Sequence, residues 1–145
     1  MGKHILTVSL LLFLFKNGNA QNNSVVSNID ENKAFEKVEI EATTDIKKWR
    51  DHIRKSTVLP DSISKDIPPG TYKVTVQFIV DKHGYIGQLK SMNDPGYGLA
   101  KRAIKIIANY PGEWKPASQC GRNVTAYKKQ DIYFIVSPND MTTSH

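Results

Sequence analysis

A strictly alternating segment in the middle of the chain constrains the fold more than any other feature of the sequence. Between Tyr72 and Val80, apolar residues occupy every second position and mostly polar residues stand between them. A period of two indicates a β-strand with one face buried and the other face in solvent. The buried face is predicted to comprise Val74, Val76, Phe78 and Val80.

An antiparallel partner is expected directly after this strand. Asp81 to Gly84 predicts a tight turn, because its glycine adopts a positive φ without a steric penalty. The next segment, Tyr85 to Met92, does not alternate cleanly. Its apolar residues Ile86 and Leu89 share a face only if a β-bulge lies near Gly87. The segment therefore predicts the bulged second strand of a hairpin.

A third strand is predicted from Val124 to Val136. Lys128 and Gln130 interrupt its apolar face, which comprises Val124, Ala126, Ile132, Phe134 and Val136. The polar residues 137–145 that follow offer nothing to cover the outer edge of this strand and are expected to be a disordered tail. We therefore expect the third strand to lie at an edge of the sheet.

Two amphipathic helices accompany the strands. Thr44 or Asp45 is suited to cap a helix that ends at about Lys55. Its apolar face comprises Ile46, Trp49 and Ile53. A loop is predicted from Pro60 to Gly70. The second helix is marked by an apolar face of Leu99, Ala103, Ile106, Ile107 and Tyr110.

These elements predict an α+β fold in which two helices pack on one face of a three-stranded antiparallel sheet. Trp114 is expected to fill the end of the core between the second helix and the last strand. The core is predicted to contain Val74, Val76, Phe78, Val80, Ala103, Ile107, Trp114 and Phe134.

The first twenty residues have the layout of a secretory signal peptide. The apolar run from Ile5 to Phe15 has eleven residues, whereas a membrane-spanning helix needs about 20. Gly18 and Ala20 are the small residues expected before a cleavage site. We therefore predict a periplasmic protein that begins at Gln21; the alternative is a retained inner-membrane anchor. Residues 21–44 are interpreted as a polar leader and residues 45–136 as the folded domain.

Composition and charge exclude several classes of protein. A chain of 145 residues is long enough for one domain. Its single cysteine excludes an intramolecular disulfide framework and a zinc site built on several thiolates. The net charge is +6, with −3 in residues 21–44 and +7 in residues 45–145. A basic balance is compatible with nucleic acid, but the predicted export argues against a nucleic-acid partner.

The sequence offers little for catalysis. Cys120 is the only thiol, and a nucleophilic cysteine needs a base within hydrogen-bond distance. His52 and His83 are the candidate bases, and both are interpreted as solvated surface groups. No His, Asp or Glu residues stand at the spacing of metal ligands. We therefore predict no catalytic, cofactor-binding or metal-binding residues, and interpret Cys120 as an exposed loop residue.

Three groups of residues, spread over about a hundred residues, carry a resemblance to a known family through their order and spacing. The first comprises Pro69-Gly70-Thr71-Tyr72, Val76-Gln77-Phe78-Ile79-Val80-Asp81-Lys82 and Gly84. The second comprises Gly96-Tyr97-Gly98, Ala103, Ile107 and Trp114-Lys115-Pro116-Ala117. The third comprises Gly121-Arg122, Val124, Ala126-Tyr127-Lys128-Lys129-Gln130, Ile132 and Phe134. In this order and spacing, residues from about 35 to 136 resemble the C-terminal domain of the TonB energy transducer, in the version common in Bacteroidetes.

The resemblance implies a periplasmic module that binds the N-terminal TonB-box peptide of TonB-dependent outer-membrane transporters. Full transducers carry a long proline-rich spacer where this chain has residues 21–44, so the resemblance implies peptide binding more directly than energy transduction. The peptide is expected to add as a further strand to the unpaired backbone groups of the last strand. The residues of this edge are Tyr127, Lys128, Lys129, Gln130, Asp131, Ile132, Tyr133 and Phe134.

Two alternative functions use the same residues differently. In the first, the edge pairs with a second copy of itself, and the protein is a homodimeric structural or adaptor protein of the cell envelope. In the second, the chain is a small secreted enzyme that uses Cys120 or the histidines. Concentration-dependent mass without peptide binding favours the homodimer, and activity that is lost on Cys120→Ser substitution favours the enzyme.

Overall fold

The computed structural model describes residues 33–138. The predicted signal peptide, the first part of the leader and residues 139–145 of the tail lie outside the described residues. The described region is an α+β arrangement with antiparallel sheets. Its helices are α1 (Ile46–Ser56), α2 (Asp61–Ser64) and α3 (Leu99–Ala108). Its strands are β1 (Thr43–Thr44), β2 (Gly70–Val80), β3 (Ile86–Ser91), β4 (Trp114–Lys115), β5 (Ala117–Gln119), β6 (Arg122–Val124) and β7 (Ala126–Val136).

The main sheet has three antiparallel strands in the order β3-β2-β7. β2 and β7 pair along their whole length, from Gly70 opposite Val136 to Val80 opposite Ala126. In both strands the even-numbered side chains point to the core, as the alternation in β2 indicates. The eight side chains predicted for the core are all at most 8% exposed.

The hairpin between β2 and β3 has the turn and the bulge that the sequence predicts. Gly84 has φ 88°, and a Cβ atom there would collide with the carbonyl oxygen of Trp114, so only glycine fits. The pairing of β2 with β3 shifts between Gln77 and Ile79, where Gln88 of β3 has a positive φ of 48°. This bulge lets Ile86 and Leu89, both half-buried, pack against the core.

Helix α1 begins where its cap predicts, but its apolar face is narrower than expected. The carboxylate of Asp45 accepts hydrogen bonds from the amides of Lys47 and Lys48, both at 3.0 Å. Trp49 is buried, whereas Ile46 is 64% exposed, so the prediction for Ile46 was wrong. The helix reaches the core through the large indole of Trp49, whose ring contacts Tyr110 and Trp114.

Two connections differ from the sequence prediction. The expected loop from Pro60 to Gly70 contains the one-turn helix α2 and the buried side chain of Ile67. The expected strand from Val124 to Val136 is divided, because β6 pairs with β5 and only β7 joins the main sheet. Cys120 and Gly121, with φ 49° and 70°, form the turn between β5 and β6.

The packed region begins earlier than the sequence analysis placed it. The described part of the leader lies against the domain: Ala42 is buried, and β1 pairs with β4. Ile40 exchanges two backbone hydrogen bonds with Ser118, at 3.1 and 2.8 Å. Residues 21–44 were interpreted as a leader because the segment begins with polar residues that show no period. No helix within residues 33–138 is long and apolar enough to cross a membrane.

Candidate functional site

The outer edge of β7 is the candidate site, and its backbone groups alternate between two directions. The amide of Tyr127 donates outward, away from β2, to the carbonyl oxygen of Phe35 at 2.9 Å. Successive residues of a strand point their N–H groups to opposite edges. Odd-numbered residues of β7 therefore present their backbone groups at the outer edge, and even-numbered residues pair with β2.

The hydrogen bonds of β2 support the same assignment. The carbonyl oxygen of Thr75 accepts from the amide of Met92 at 2.8 Å, so Thr75 points its backbone groups away from β7. Thr75 lies opposite Asp131 in the register, and Asp131 therefore points its own backbone groups to the outer edge. Of the eight residues predicted for the edge, the outward ones are Tyr127, Lys129, Asp131 and Tyr133.

The leader already occupies the beginning of this edge. Phe35 forms a parallel bridge with Ala126: its amide donates to the carbonyl oxygen of Thr125 at 2.8 Å, and its carbonyl accepts from Tyr127. The expectation that nothing covers the edge was therefore wrong at its first position. The covering segment precedes the domain in sequence. The alternation of apolar and charged residues from Phe35 to Ala42 indicates a strand, but it does not indicate which edge that strand joins.

Beyond Tyr127 the edge is unpaired within the described part of the chain. We define the open edge as the outward backbone groups of Lys129, Asp131, Tyr133 and Ile135. None of their amides has a hydrogen-bond acceptor within residues 33–138. The carbonyl oxygen of Asp131 accepts from Nε2 of Gln130 at 2.9 Å. The open edge therefore offers four donors to an added strand, together with its carbonyl oxygens, of which that of Asp131 already accepts one hydrogen bond.

The side chains along the open edge include one fixed anion. The carboxylate of Asp131 accepts from the hydroxyl of Thr75 at 2.6 Å and from Nζ of Lys73 at 3.2 Å. The hydrogen bond from Thr75, together with Lys73, holds the pKa of Asp131 below its ordinary value, against the opposing effect of burial. Tyr133 and Ile135 are large and exposed on the same face, at 50% and 70%.

The two polar residues that interrupt the inner face of β7 each have a partner. Oε1 of Gln130 accepts from Nε1 of Trp49 at 2.9 Å. Nζ of Lys128 lies 3.0 Å from Oε2 of Glu41, so the leader neutralises this lysine. Lys128 and Gln130 therefore serve the fold, whereas the side chain of Lys129 is exposed to solvent.

A groove lies where the leader leaves the edge. Its volume is about 420 Å³. The residues that line it are Glu36, Lys37, Glu41, Gln77, Tyr127, Lys128 and Lys129. It contains both signs of charge and opens beside the first free amide, that of Lys129. A strand added to the open edge would therefore place one of its ends in this groove.

The structure places the thiol and the two imidazoles on different elements. Cys120 is exposed in the turn between β5 and β6, where its amide donates to Oε2 of Glu39 at 3.0 Å. His83 is exposed in the turn between β2 and β3. His52 is half-buried, its Nε2 lies 2.7 Å from the carbonyl oxygen of Ile106, and its ring stacks on Trp49. The interpretation of His52 as a solvated group was therefore wrong.

Comparisons with known protein families and with curated proteins add no information about this site. Neither the models of known protein families nor the curated proteins include a match to this chain. Within residues 33–138, no three His, Cys, Asp or Glu side chains are grouped so that they could hold a metal ion. The open edge of β7 is the feature with the clearest capacity for recognition.

Proposed function

We propose that this protein is a periplasmic peptide-binding module that resembles the TonB C-terminal domain. In this proposal, α1 and α3 form the helix layer on one face of the three-stranded sheet, as in that family. The ligand is an extended segment of the TonB-box type from an outer-membrane transporter. It adds as a strand to the open edge of β7, and main-chain hydrogen bonds supply most of its affinity.

The observation that carries this proposal is the parallel bridge of Phe35. Two hydrogen bonds, at 2.8 and 2.9 Å, already join an extended segment to the outer edge at Thr125 and Tyr127. The outer edge of β7 therefore accepts an extended segment at this point. The next outward amides, from Lys129 onward, continue the same line.

Side chains on the open edge supply selectivity in addition to the backbone bonds. Lys129 and Asp131 alternate in charge along the edge. Cross-strand neighbours of opposite charge stabilise a pair of strands, and neighbours of like charge destabilise it. A preferred peptide carries an acidic residue beside Lys129 and a basic or neutral residue beside Asp131.

Proline substitution tests the proposal, because proline lacks the backbone donor. Lys129→Pro and Tyr133→Pro each remove one outward donor and leave the donors to β2 intact. The matched controls, Lys129→Ala and Tyr133→Ala, remove the same side chains and keep the amides. Calorimetry with a TonB-box-like peptide should show at least a tenfold loss of affinity for each proline variant, about 1.4 kcal/mol. The alanine variants should lose much less.

Circular dichroism must show that the proline variants are folded. If folded Lys129→Pro and Tyr133→Pro proteins bind the peptide as tightly as the unsubstituted protein, the peptide does not use this edge. Gln130→Pro provides a contrast, because its amide points to β2. This variant should unfold the domain rather than only weaken binding.

A homodimer is the second candidate, and one observation favours it. Tyr133 and Ile135 are large, exposed side chains beside unpaired amides, and an edge of this kind pairs readily with a second copy. Sedimentation equilibrium distinguishes the two proposals. The homodimer is supported if the apparent molecular mass rises with protein concentration, is lower for the Lys129→Pro variant than for the unsubstituted protein, and does not change when peptide is added.

A further inference from the structure

We propose that the surface formed by α1 and α3 docks onto an anionic phospholipid membrane. The net charge of the described region resides on these two helices. They carry eight basic side chains and one acidic side chain, a net charge of +7. The remaining residues between 33 and 138 carry ten basic and ten acidic side chains, a net charge of zero. This segregation concentrates positive potential on one side of the domain.

Most of these cations are available to an external partner. Seven of the eight side chains are exposed, and Arg102 is half-buried. Two form ion pairs at the start of or within α1: Lys48 with Asp45 at 4.0 Å and Arg54 with Asp51 at 3.4 Å. The other six have no carboxylate within 4.0 Å in the described part of the chain; they are Lys47, Arg50, Lys55, Lys101, Arg102 and Lys105.

Three of these cations line one groove between the helices. The groove has a volume of about 450 Å³ and is lined by Lys101, Arg102 and Lys105 of α3, opposite His52 of α1. The short contact between His52 and the Ile106 carbonyl joins the two helices here, so their charges belong to one surface. A phosphate head group that enters the groove meets three positive side chains, each able to donate a charge-assisted hydrogen bond.

Exposed apolar side chains favour a lipid surface over a soluble polyanion. Ile46 is the first residue of α1, and Val58 follows the helix by two residues; both are exposed, Val58 at 73%. Proteins that lie on a membrane combine cations, which meet the head groups, with apolar side chains that enter the acyl boundary. A soluble polyanion would pair with the cations and leave Ile46 and Val58 in water.

The carboxylates of the described part of the leader do not neutralise this surface. Glu41 is paired with Lys128, and Glu39 accepts hydrogen bonds from the β5–β6 turn at Cys120. Both acceptors therefore bind elements other than the two helices. The positive surface is therefore open to a partner from outside the described region, and an anionic bilayer matches its charge and the exposed apolar residues Ile46 and Val58.

Vesicle sedimentation with the full chain tests the charge requirement. Vesicles of phosphatidylglycerol and phosphatidylcholine in equal parts are compared with phosphatidylcholine alone. Removing three cations with Lys101→Gln, Arg102→Gln and Lys105→Gln should lower the affinity for anionic vesicles by about 100-fold, roughly fivefold per charge. The control removes the same charge from exposed positions outside the two helices, with Lys65→Gln, Lys90→Gln and Lys115→Gln. It should lose less than about threefold, because distant charges are screened.

Every variant retains the same N-terminal apolar segment, so its contribution cancels in these comparisons. Because Arg102 is half-buried, the double variant Lys101→Gln and Lys105→Gln replaces the triple variant if circular dichroism shows unfolding. Its expected loss is about 25-fold. Equal losses in the helix variant and in the control on anionic vesicles, or an equal loss of the helix variant on neutral and on anionic vesicles, would overturn the proposal.

A second pair of variants distinguishes a membrane from a soluble polyanion. Ile46→Ser with Val58→Ser should weaken vesicle binding several-fold, because two apolar side chains no longer enter the bilayer. The control, Tyr85→Ser with Met92→Ser, removes exposed apolar groups from surfaces outside the two helices and the open edge and should leave vesicle binding unchanged. If duplex DNA or polyglutamate binds more tightly than anionic vesicles, and the Ile46 and Val58 variant binds vesicles normally, the partner is a soluble polyanion.

Discussion

The first half of β7, Ala126–Gln130, and the second half, Asp131–Val136, belong to one strand but meet different surroundings. In the first half, the inward Lys128 and Gln130 are bonded to Glu41 and to Trp49. Phe35 covers the outer edge there. In the second half, the inward side chains are apolar and buried, and the outer edge is open.

The difference shows that one strand has an anchored part and a part whose outer edge is open. The first half is held by polar contacts to segments far away in sequence, the leader and α1. The second half is held by hydrophobic packing on its inner face and by its pairing with β2, and within residues 33–138 its outer backbone groups stay unpaired. An edge strand that has lost its inner packing would not keep those groups in line for a ligand.

The largest effect is expected from breaking the packing of the second half. Phe134 is fully buried, and Phe134→Ala should lower the free energy of unfolding by about 3–5 kcal/mol through lost burial and the cavity left behind. Urea denaturation measures the change. Ile135→Ala is the control, since this neighbour is exposed on the opposite face and should cost less than about 0.5 kcal/mol. A loss below about 1 kcal/mol for Phe134→Ala would show that the inward face is wrongly assigned.

A smaller effect is expected from breaking the polar anchor of the first half. Gln130→Ala removes the acceptor of Nε1 of Trp49, and a buried donor left unpaired costs about 1–3 kcal/mol. Lys129→Ala, one position earlier, removes an exposed side chain and should leave stability nearly unchanged. Equal stability of the two variants in urea denaturation would contradict an anchoring role for Gln130.

Amide hydrogen exchange should separate the two halves of the outer edge without any substitution. The amide of Tyr127 is bonded to Phe35, whereas the outward amides of Lys129, Asp131 and Tyr133 lack acceptors in the described region. We expect exchange at Tyr127 to be at least tenfold slower than at these three positions, because the bonded amide of Tyr127 exchanges only after local opening. Nuclear magnetic resonance resolves each amide. Uniformly slow exchange along the edge would show that a partner, such as a second copy, covers it.

The smallest effect is expected from protonating the carboxylate of Asp131, which lies at the boundary between the two halves of β7. The pKa of Asp131 is lowered, chiefly by the hydrogen bond from Thr75. Because the folded-state pKa lies below the unfolded value of about 3.9, the carboxylate stabilises the fold above that pH. The contribution is lost as pH falls through the lower, folded-state pKa. Asp131→Asn and Thr75→Val should each flatten the acid side of the stability curve, measured by thermal melting.

This comparison between the halves also explains what the sequence could predict. β2 was predictable because its alternation is local, and α1 because Asp45 and Trp49 stand at the spacing of a cap and a buried turn. The bulge in β3 was predictable because Ile86 and Leu89 require it. Each of these features depends on residues close together in the chain.

Contacts between distant segments were not predictable in the same way. In the sequence, Lys128 and Gln130 interrupt an apolar face. Their partners, Glu41 and Trp49, lie more than 80 residues earlier and could not be inferred from neighbouring residues. The bridge of Phe35 to β7 uses two backbone hydrogen bonds, and backbone groups carry no residue identity. For the candidate site, the sequence therefore indicated the strand but not which part of its edge is open.

The bridge of Phe35 also determines how mechanical force enters the domain. Phe35 pairs with β7 in the parallel direction, so the bridge resists tension that is applied to its N-terminal side along the axis of β7. Both hydrogen bonds of the bridge are then loaded together in shear, rather than one after the other as in unzipping. Through the bridge, the force passes into β7 and from there across its continuous pairing with β2. A ligand paired with the open edge would be attached to the same strand that receives the pull.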